Sequence, residues 1–276
     1  MDTSRRSSSS MDESAKRLTE IYGKDDLSAN DAFAGGFINA GYWRDISSSG
    51  EITIDERTRS QQDLYRLVLS ALEVDSTSQL LEVGCGRGLG SALALREYAP
   101  ASVCAIDLHE AQIERAQHDN AALLVEVGDR LSYQTGSATE IPFADGQFDC
   151  IFSVEVAQHI RDTALFSHEL RRVMRRGGRL SLVTFFANEA GRHEELVRLF
   201  PALSDGTDNA PCISVFFQQL NDAGFTKVCF EKIGQYVWQG WDSWLSQTAY
   251  HDKWPRNFLL AYQSGLLDYY IVTGIA

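Results

Sequence analysis

The sequence predicts an α/β fold built on one doubly wound, mostly parallel sheet, and three observations carry that prediction. Between residues 78 and 186, short apolar runs alternate with stretches whose apolar residues recur at helical spacing. A glycine loop, Gly84-Cys85-Gly86-Arg87-Gly88, directly follows the first of those runs, where a first strand turns into a first helix. Nothing recurs at a period of about 20–50 residues, which removes solenoids and propellers. Strand-helix-strand repetition of this kind implies parallel strands joined by right-handed crossovers.

Taken in order, residues 1–12 are Ser-rich and too poor in apolar side chains to repay ordering, so a mobile tail is expected. Residues 13–276 form one domain. Its first part, 13–77, reads as an N-terminal lid: Ala15, Leu18, Ile21 and Tyr22 fall at helical spacing and lead into the Gly-rich aromatic stretch 34–43. A helix over 55–72 follows, with Leu64, Leu67, Val68 and Leu72 as its apolar stripe. The sheet core occupies 78–186. It is read as strand 79–83, helix 91–98, strand 102–106, helix 110–128 and strand 131–136, then the turn Phe143-Ala144-Asp145-Gly146, strand 148–153, helix 163–174 and strand 179–186. Two segments break the pattern, 187–212 (a helix at 189–200 ended by Pro201) and 235–266, and both are read as insertions capping the substrate. Helix 213–223 and strand 225–233 lie between them, and a terminal strand at 269–275 is expected to close a sheet edge.

The 276 residues carry 25 Lys+Arg against 38 Asp+Glu, so a net charge of −13 repels a phosphate backbone and excludes nucleic acid as a partner. No apolar run reaches the length of a membrane span, and the N-terminus has no signal-like stretch. A soluble, cytoplasmic protein is expected, with self-association left open. Cys85, Cys104, Cys150, Cys212 and Cys229 are odd in number and form no C-x-x-C pair, which argues for reduced thiols rather than disulfides or a zinc site.

The glycine loop selects its ligand by what it lacks. A dinucleotide fingerprint requires G-x-G-x-x-G/A, but counting from Gly84 the last position is Leu89, and from Gly86 it is Ser91. The spacing here is G-x-G-x-G, preceded by Glu82, whose carboxylate would repel a pyrophosphate and attract an ammonium or sulfonium. Asp107 ends the next strand, where a carboxylate can take both hydroxyls of a ribose. A nucleoside carrying positive charge satisfies both; a glycine-rich turn beside a solvated Asp is the plainer alternative.

Residues 81–88, Asp107, the stretch 136–143, Phe148-Asp149 and residues 170–178 resemble, in order, the motifs of class I S-adenosylmethionine-dependent methyltransferases. The prefix ending Gly41-Tyr42-Trp43 further resembles the small-molecule subgroup that includes sterol, tocopherol and rebeccamycin-sugar enzymes. The resemblance implies a seven-stranded Rossmann-like sheet and S-adenosylmethionine as cofactor, leaving as S-adenosylhomocysteine. It implies that Glu82, Gly84, Cys85, Gly86 and Gly88 border the methionine part, that Asp107 and Leu108 hold the ribose side, and that Ser137, Ala138 and Thr139 lie by adenine. Many members have Asp where this chain has Ser137, so Glu140 or the Ala138 backbone is the substitute for that contact. Tyr22, Phe37, Tyr42 and Trp43 are expected to fold over the cofactor, where aromatic faces attract a sulfonium. Asn39 is a further candidate, for the methionine carboxylate.

Methyl transfer from a sulfonium asks mainly for positioning and desolvation, and no metal is expected. His159 follows the fourth strand at the ligand-binding edge and is the candidate base, with Glu155, Gln158 and Tyr22 beside it. Residues 236–270 are dense in aromatics, and Phe185, Phe186, Phe200, Trp238 and Trp241 are the candidate walls of a pocket for a large hydrophobic acceptor. The reading placed first is C-methylation of a prenyl or terpenoid alkene through a carbocation, in line with a fainter resemblance to teleocidin-type C-methyltransferases of specialised metabolism. O- or N-methylation of a phenolic, sugar or indole product with His159 as base is the alternative. A nucleoside-binding oxidoreductase or a noncatalytic adenosylmethionine-binding protein is the competing class.

Overall fold

The computed structural model describes residues 16–17, 19–24 and 26–276, so the tail expected over 1–12, and Ala15 and Leu18 of the first helical pattern, lie outside the described residues. Its strands are β1 (Gln79–Val83), β2 (Ser102–Asp107), β3 (Leu131–Thr135), β4 (Phe148–Val154), β5 (Met174–Ala187), β6 (Thr226–Lys232) and β7 (Leu267–Ile275). They form one seven-stranded sheet in the order β3-β2-β1-β4-β5-β7-β6. β1 to β5 pair in parallel, whereas β7 runs antiparallel to both β5 and β6.

The terminal strand therefore does not close the edge; it inserts between β5 and β6, in register from Arg179↔Ile275 to Ala187↔Leu267. Burial explains the correction. Tyr269 and Ile271 pack on one face and Tyr270 and Val272 on the other, all buried, as an interior strand requires. β6, with Thr226, Lys227, Glu231 and Lys232 exposed, is the edge strand.

Both faces of the sheet are covered, which makes the fold doubly wound. On one face, Leu80, Phe152, Val183 and Tyr269 meet Leu64 and Val68 of helix Ile54–Ser70 and Ala92 and Leu95 of helix Leu89–Tyr98. On the other, Leu81, Ile151 and Leu182 meet Phe166 and Leu170 of helix Thr163–Val173 and Phe216 and Leu220 of helix Ile213–Asp222. Helix Ile54–Ser70 starts on a reciprocal cap: the Thr53 hydroxyl accepts the Glu56 amide at 3.2 Å, and the Glu56 carboxylate accepts the Thr53 amide at 2.8 Å. The helix expected over 110–128 is two helices, Glu110–Asp119 and Ala121–Val127. Asn120 stands between them, its side-chain amide donating to Arg87 O (3.1 Å) and Ala116 O (2.9 Å).

Residues 26–46 and helix Trp238–Leu245 pack together on the first face, above the carboxyl ends of β4 and β5. Their joint is Arg57. This fully buried guanidinium donates to Ala32 O (from Nε and Nη2), Asn39 O, Ala40 O and the Ser60 hydroxyl, and lies 4.9 Å from the Trp241 ring centre. Among the described residues no helix is long and apolar enough to cross a membrane. All five cysteines are free thiols.

Candidate active site

The carboxyl ends of β1, β2, β3 and β4 open into a cavity of about 390 Å³. Gly84, Cys85 and Gly86 wall it after β1, Asp107 and Leu108 after β2, Ser137, Ala138 and Thr139 after β3, and Glu155 after β4. This is where an open α/β sheet binds its ligands. A Cβ on Gly84 (φ +76°) would collide with the Val156 side chain, which presses the loop onto the sheet. A Cβ on Gly86 (φ +49°) would meet no protein atom within 4 Å, so bare backbone faces the space a ligand would fill.

Asp107 braces that loop and closes its own turn: Oδ2 accepts the Gly86 amide at 2.9 Å and Oδ1 the His109 amide at 3.0 Å. Burial pushes its carboxyl above the usual range, against the pull of those amides. A bare glycine backbone beside a buried carboxylate fits the methionine and ribose parts of an adenosylmethionine, which supply the matching cation and hydroxyls.

Other expected cofactor residues stand back from the wall. Glu82 is fully buried and hydrogen-bonded by Ser91, burial pushes its carboxyl up to about 8, and it does not wall the cavity, so it is not placed to face a sulfonium there. Gly88 caps helix Leu89–Tyr98 in the left-handed region (φ +70°) and its carbonyl accepts the Tyr133 hydroxyl. Tyr42 packs edge-on to Tyr236, and Trp43 is buried with its indole N–H on Ala40 O, so neither ring reaches the cavity. Asn39 is buried on Gln61 O, away from the wall, and Glu140 is exposed. Tyr22, Phe37 and His109 do line the cavity.

A second cavity of about 300 Å³ adjoins the first, sharing Tyr22, Ile38, Glu155, Gln158 and His159 as its border. Phe33, Phe185, Trp238, Trp241, Tyr250, Trp254 and Phe258 furnish its aromatic walls. Phe186 is on the opposite face of the sheet, stacked on Phe216, because successive strand residues point to opposite faces. Phe200 stands behind the wall, its ring 4.5 Å from that of Phe258.

Charged groups gather at the border. His159 Nδ1 lies 2.8 Å from Asp208 Oδ1, and its Nε2 lies 3.0 Å from the Tyr22 hydroxyl. Burial lowers the imidazole pKa, but the Asp208 carboxylate, its hydrogen bond, the Thr207 backbone and Glu155 outweigh it, and the net shift is upward. Asp208 was not visible in the sequence pattern. Its loop is built locally: Asp205 accepts the Thr207 amide (3.0 Å) and hydroxyl (2.6 Å), and the Asp208 amide bonds Ala202 O at 2.9 Å. The next amide, of Asn209, bonds Gln158 O, which ties the loop to the histidine's neighbour.

Glu155 is held more tightly still. It adopts φ +53°, uncommon for a residue with a side chain, and its Oε1 accepts the Ala40 amide (2.8 Å) and the Tyr269 hydroxyl (2.5 Å). Gln158 is fixed between Glu155 O and the Thr184 hydroxyl.

Sheet order, glycine loop and β2-terminal acid are the arrangement of the class I S-adenosylmethionine-dependent methyltransferases, and the chain's matches to known proteins support a methyltransferase of small molecules. Residues 81–182 match the methyltransferase-domain family model. The chain is 29% identical over 206 residues to the 27-O-demethylrifamycin SV methyltransferase of Amycolatopsis mediterranei, covering 74% of this chain and 72% of that protein. It is also 29% identical over 225 residues to the erythromycin 3''-O-methyltransferase of Saccharopolyspora erythraea, with 76% and 69% covered. In fold it is similar to the geranyl diphosphate C-methyltransferase of Streptomyces coelicolor A3(2), with a TM-score of 0.80 at 14% identity, covering 95% and 97%. The oxidoreductase and noncatalytic readings are set aside.

Proposed function

We propose that this chain methylates a hydroxyl group of an apolar specialised metabolite, the adenosylmethionine occupying the first cavity and the acceptor the second. The observation that carries this reading is the Asp208–His159 pair on the border between them. Bound adenosylmethionine supplies a methyl group already activated on a sulfonium. A carboxylate oxygen 2.8 Å from Nδ1 favours the ring proton on that nitrogen, which leaves Nε2 as the proton acceptor, so an acceptor hydroxyl that takes the place of the Tyr22 hydroxyl gives up its proton there as its oxygen takes the methyl. Tyr22 lines both cavities beside that point.

Incubation with labelled adenosylmethionine and a library of phenols, alcohols and prenyl compounds tests the reading. Label recovered on oxygen, lost in His159→Ala, supports it; label recovered on carbon sinks it. Alkene C-methylation is retained as the second reading because the second cavity's walls are aromatic, and π faces stabilise a carbocation.

A further inference from the structure

We infer that the second cavity admits an uncharged acceptor and rejects anionic ones, prenyl diphosphates and carboxylates included. The inference rests on that cavity being the acceptor site. Among the described residues lining it there is no Lys or Arg, while two carboxylates, Glu155 and Asp208, face it. An anion entering would lose its water and find no cation to replace it.

A buried cation behind the wall, held by the wall residues Ala32 and Ala40, is already committed. Arg57 has five N–H donors and makes five hydrogen bonds, all to protein oxygens: two to Ala32 O and one each to Asn39 O, Ala40 O and the Ser60 hydroxyl. Nothing of it remains to offer a phosphate or carboxylate. Arg87 and Arg161 line the first cavity instead, where Arg87 is bonded to Asp119 and Arg161 to Gly206 O.

The one lining group able to carry positive charge is His159, and Asp208 balances it. Glu155 is likewise met by neutral donors on its Oε1, and burial pushes its carboxyl upward. The cavity thus offers aromatic faces and a proton acceptor, with no Lys or Arg among its described lining residues. A neutral acceptor with a hydroxyl fits that balance; an anion does not.

The test compares two probes with one apolar body, geraniol and geranyl diphosphate, binding the full chain with S-adenosylhomocysteine present, with and without magnesium. Quenching of the cavity tryptophans reads binding independently of turnover. Geraniol is expected to bind at least about 100-fold more tightly than the diphosphate in both conditions. Ala202→Arg, which adds a cation to the wall, is expected to narrow that ratio at least about tenfold. Diphosphate binding as tight as geraniol in either condition overturns the inference, as does failure of both geraniol and 1-naphthol to bind. If geraniol binds and no oxygen is methylated across the library, the proposed reaction falls while the charge preference stands.

Discussion

Asp208 reaches His159 across 49 residues of chain, its Oδ1 stopping 2.8 Å from the imidazole Nδ1. The contact sets which ring nitrogen is free and how strongly it holds a proton. With Asp208 in place the histidine pKa lies above its ordinary 6.5, so the base form is depleted as pH falls through that raised value. His159→Ala is expected to lower kcat by about 10²- to 10⁴-fold. Asp208→Asn should lower kcat too and move the acid limb of the pH profile downward, since burial is then opposed only by the Thr207 backbone and Glu155. A limb that stays in place removes Asp208 from the role.

The same pair makes a stability prediction of definite sign. A histidine with a raised folded pKa adds stability that is fully present below its unfolded value, about 6.5, and is lost as pH rises through the folded value. The Tm gap between wild type and Asp208→Asn should therefore be widest in mild acid and shrink in alkali. A gap that grows with pH contradicts the pairing.

Asp107 and the glycine loop separate binding from folding. Asp107→Ala removes a carboxylate from the expected ribose position and from the Gly86 amide, and charged hydrogen bonds are worth about 1.5 to 3 kcal/mol each. Adenosylhomocysteine affinity should fall by at least about tenfold in calorimetry. An unchanged affinity moves the ribose elsewhere.

Gly86→Val and Gly84→Val should then part company. At position 86 the new side chain enters open space, so cofactor affinity is lost with only the cost of a left-handed backbone, roughly 1 to 2 kcal/mol. At 84 it strikes Val156, and the melting temperature should fall further. Equal melting temperatures contradict this division.

Local chemistry made much of this legible in the sequence. β1, β2 and β4 announce themselves because interior parallel strands are continuous apolar runs, and Gly84, Gly86 and Asp107 sit at fixed offsets from them. What escaped was decided by tertiary placement. The position of β7 between β5 and β6 is a choice of topology that leaves no periodicity behind. Asp208 lies in a loop with no pattern, and Glu82 looks the same in sequence whether its carboxylate faces a ligand or a buried serine. Phe185 and Phe186 are adjacent and equally apolar, and only the strand's register decides that the first meets the cavity and the second does not.

Arg57 supplies the last prediction, because it holds the loop that borders both cavities. Ala32, Asn39 and Ala40 each offer it a carbonyl, and the same loop places Gly36 and Phe37 on the first cavity, Phe33 and Ala40 on the second and Ile38 on both. Burial pulls the guanidinium down to about 9, yet it stays charged at neutral pH, with four oxygens and two indole faces around it. Arg57→Ala removes all five hydrogen bonds and takes the donor from buried Asn39 O, while Trp244 and Trp43 still donate to Ala32 O and Ala40 O, and it should cost on the order of 3 kcal/mol in denaturant unfolding. Arg57→Lys keeps the charge, but one ammonium has three donors on a single nitrogen and cannot span the carbonyls that a planar fork reaches. The lysine variant should fold, with KM raised for both adenosylmethionine and the acceptor and tryptophan emission altered through Trp241. Full rescue by lysine of stability and both KM values would show that charge alone holds the loop, and that the five-bond fork has no part in shaping the site.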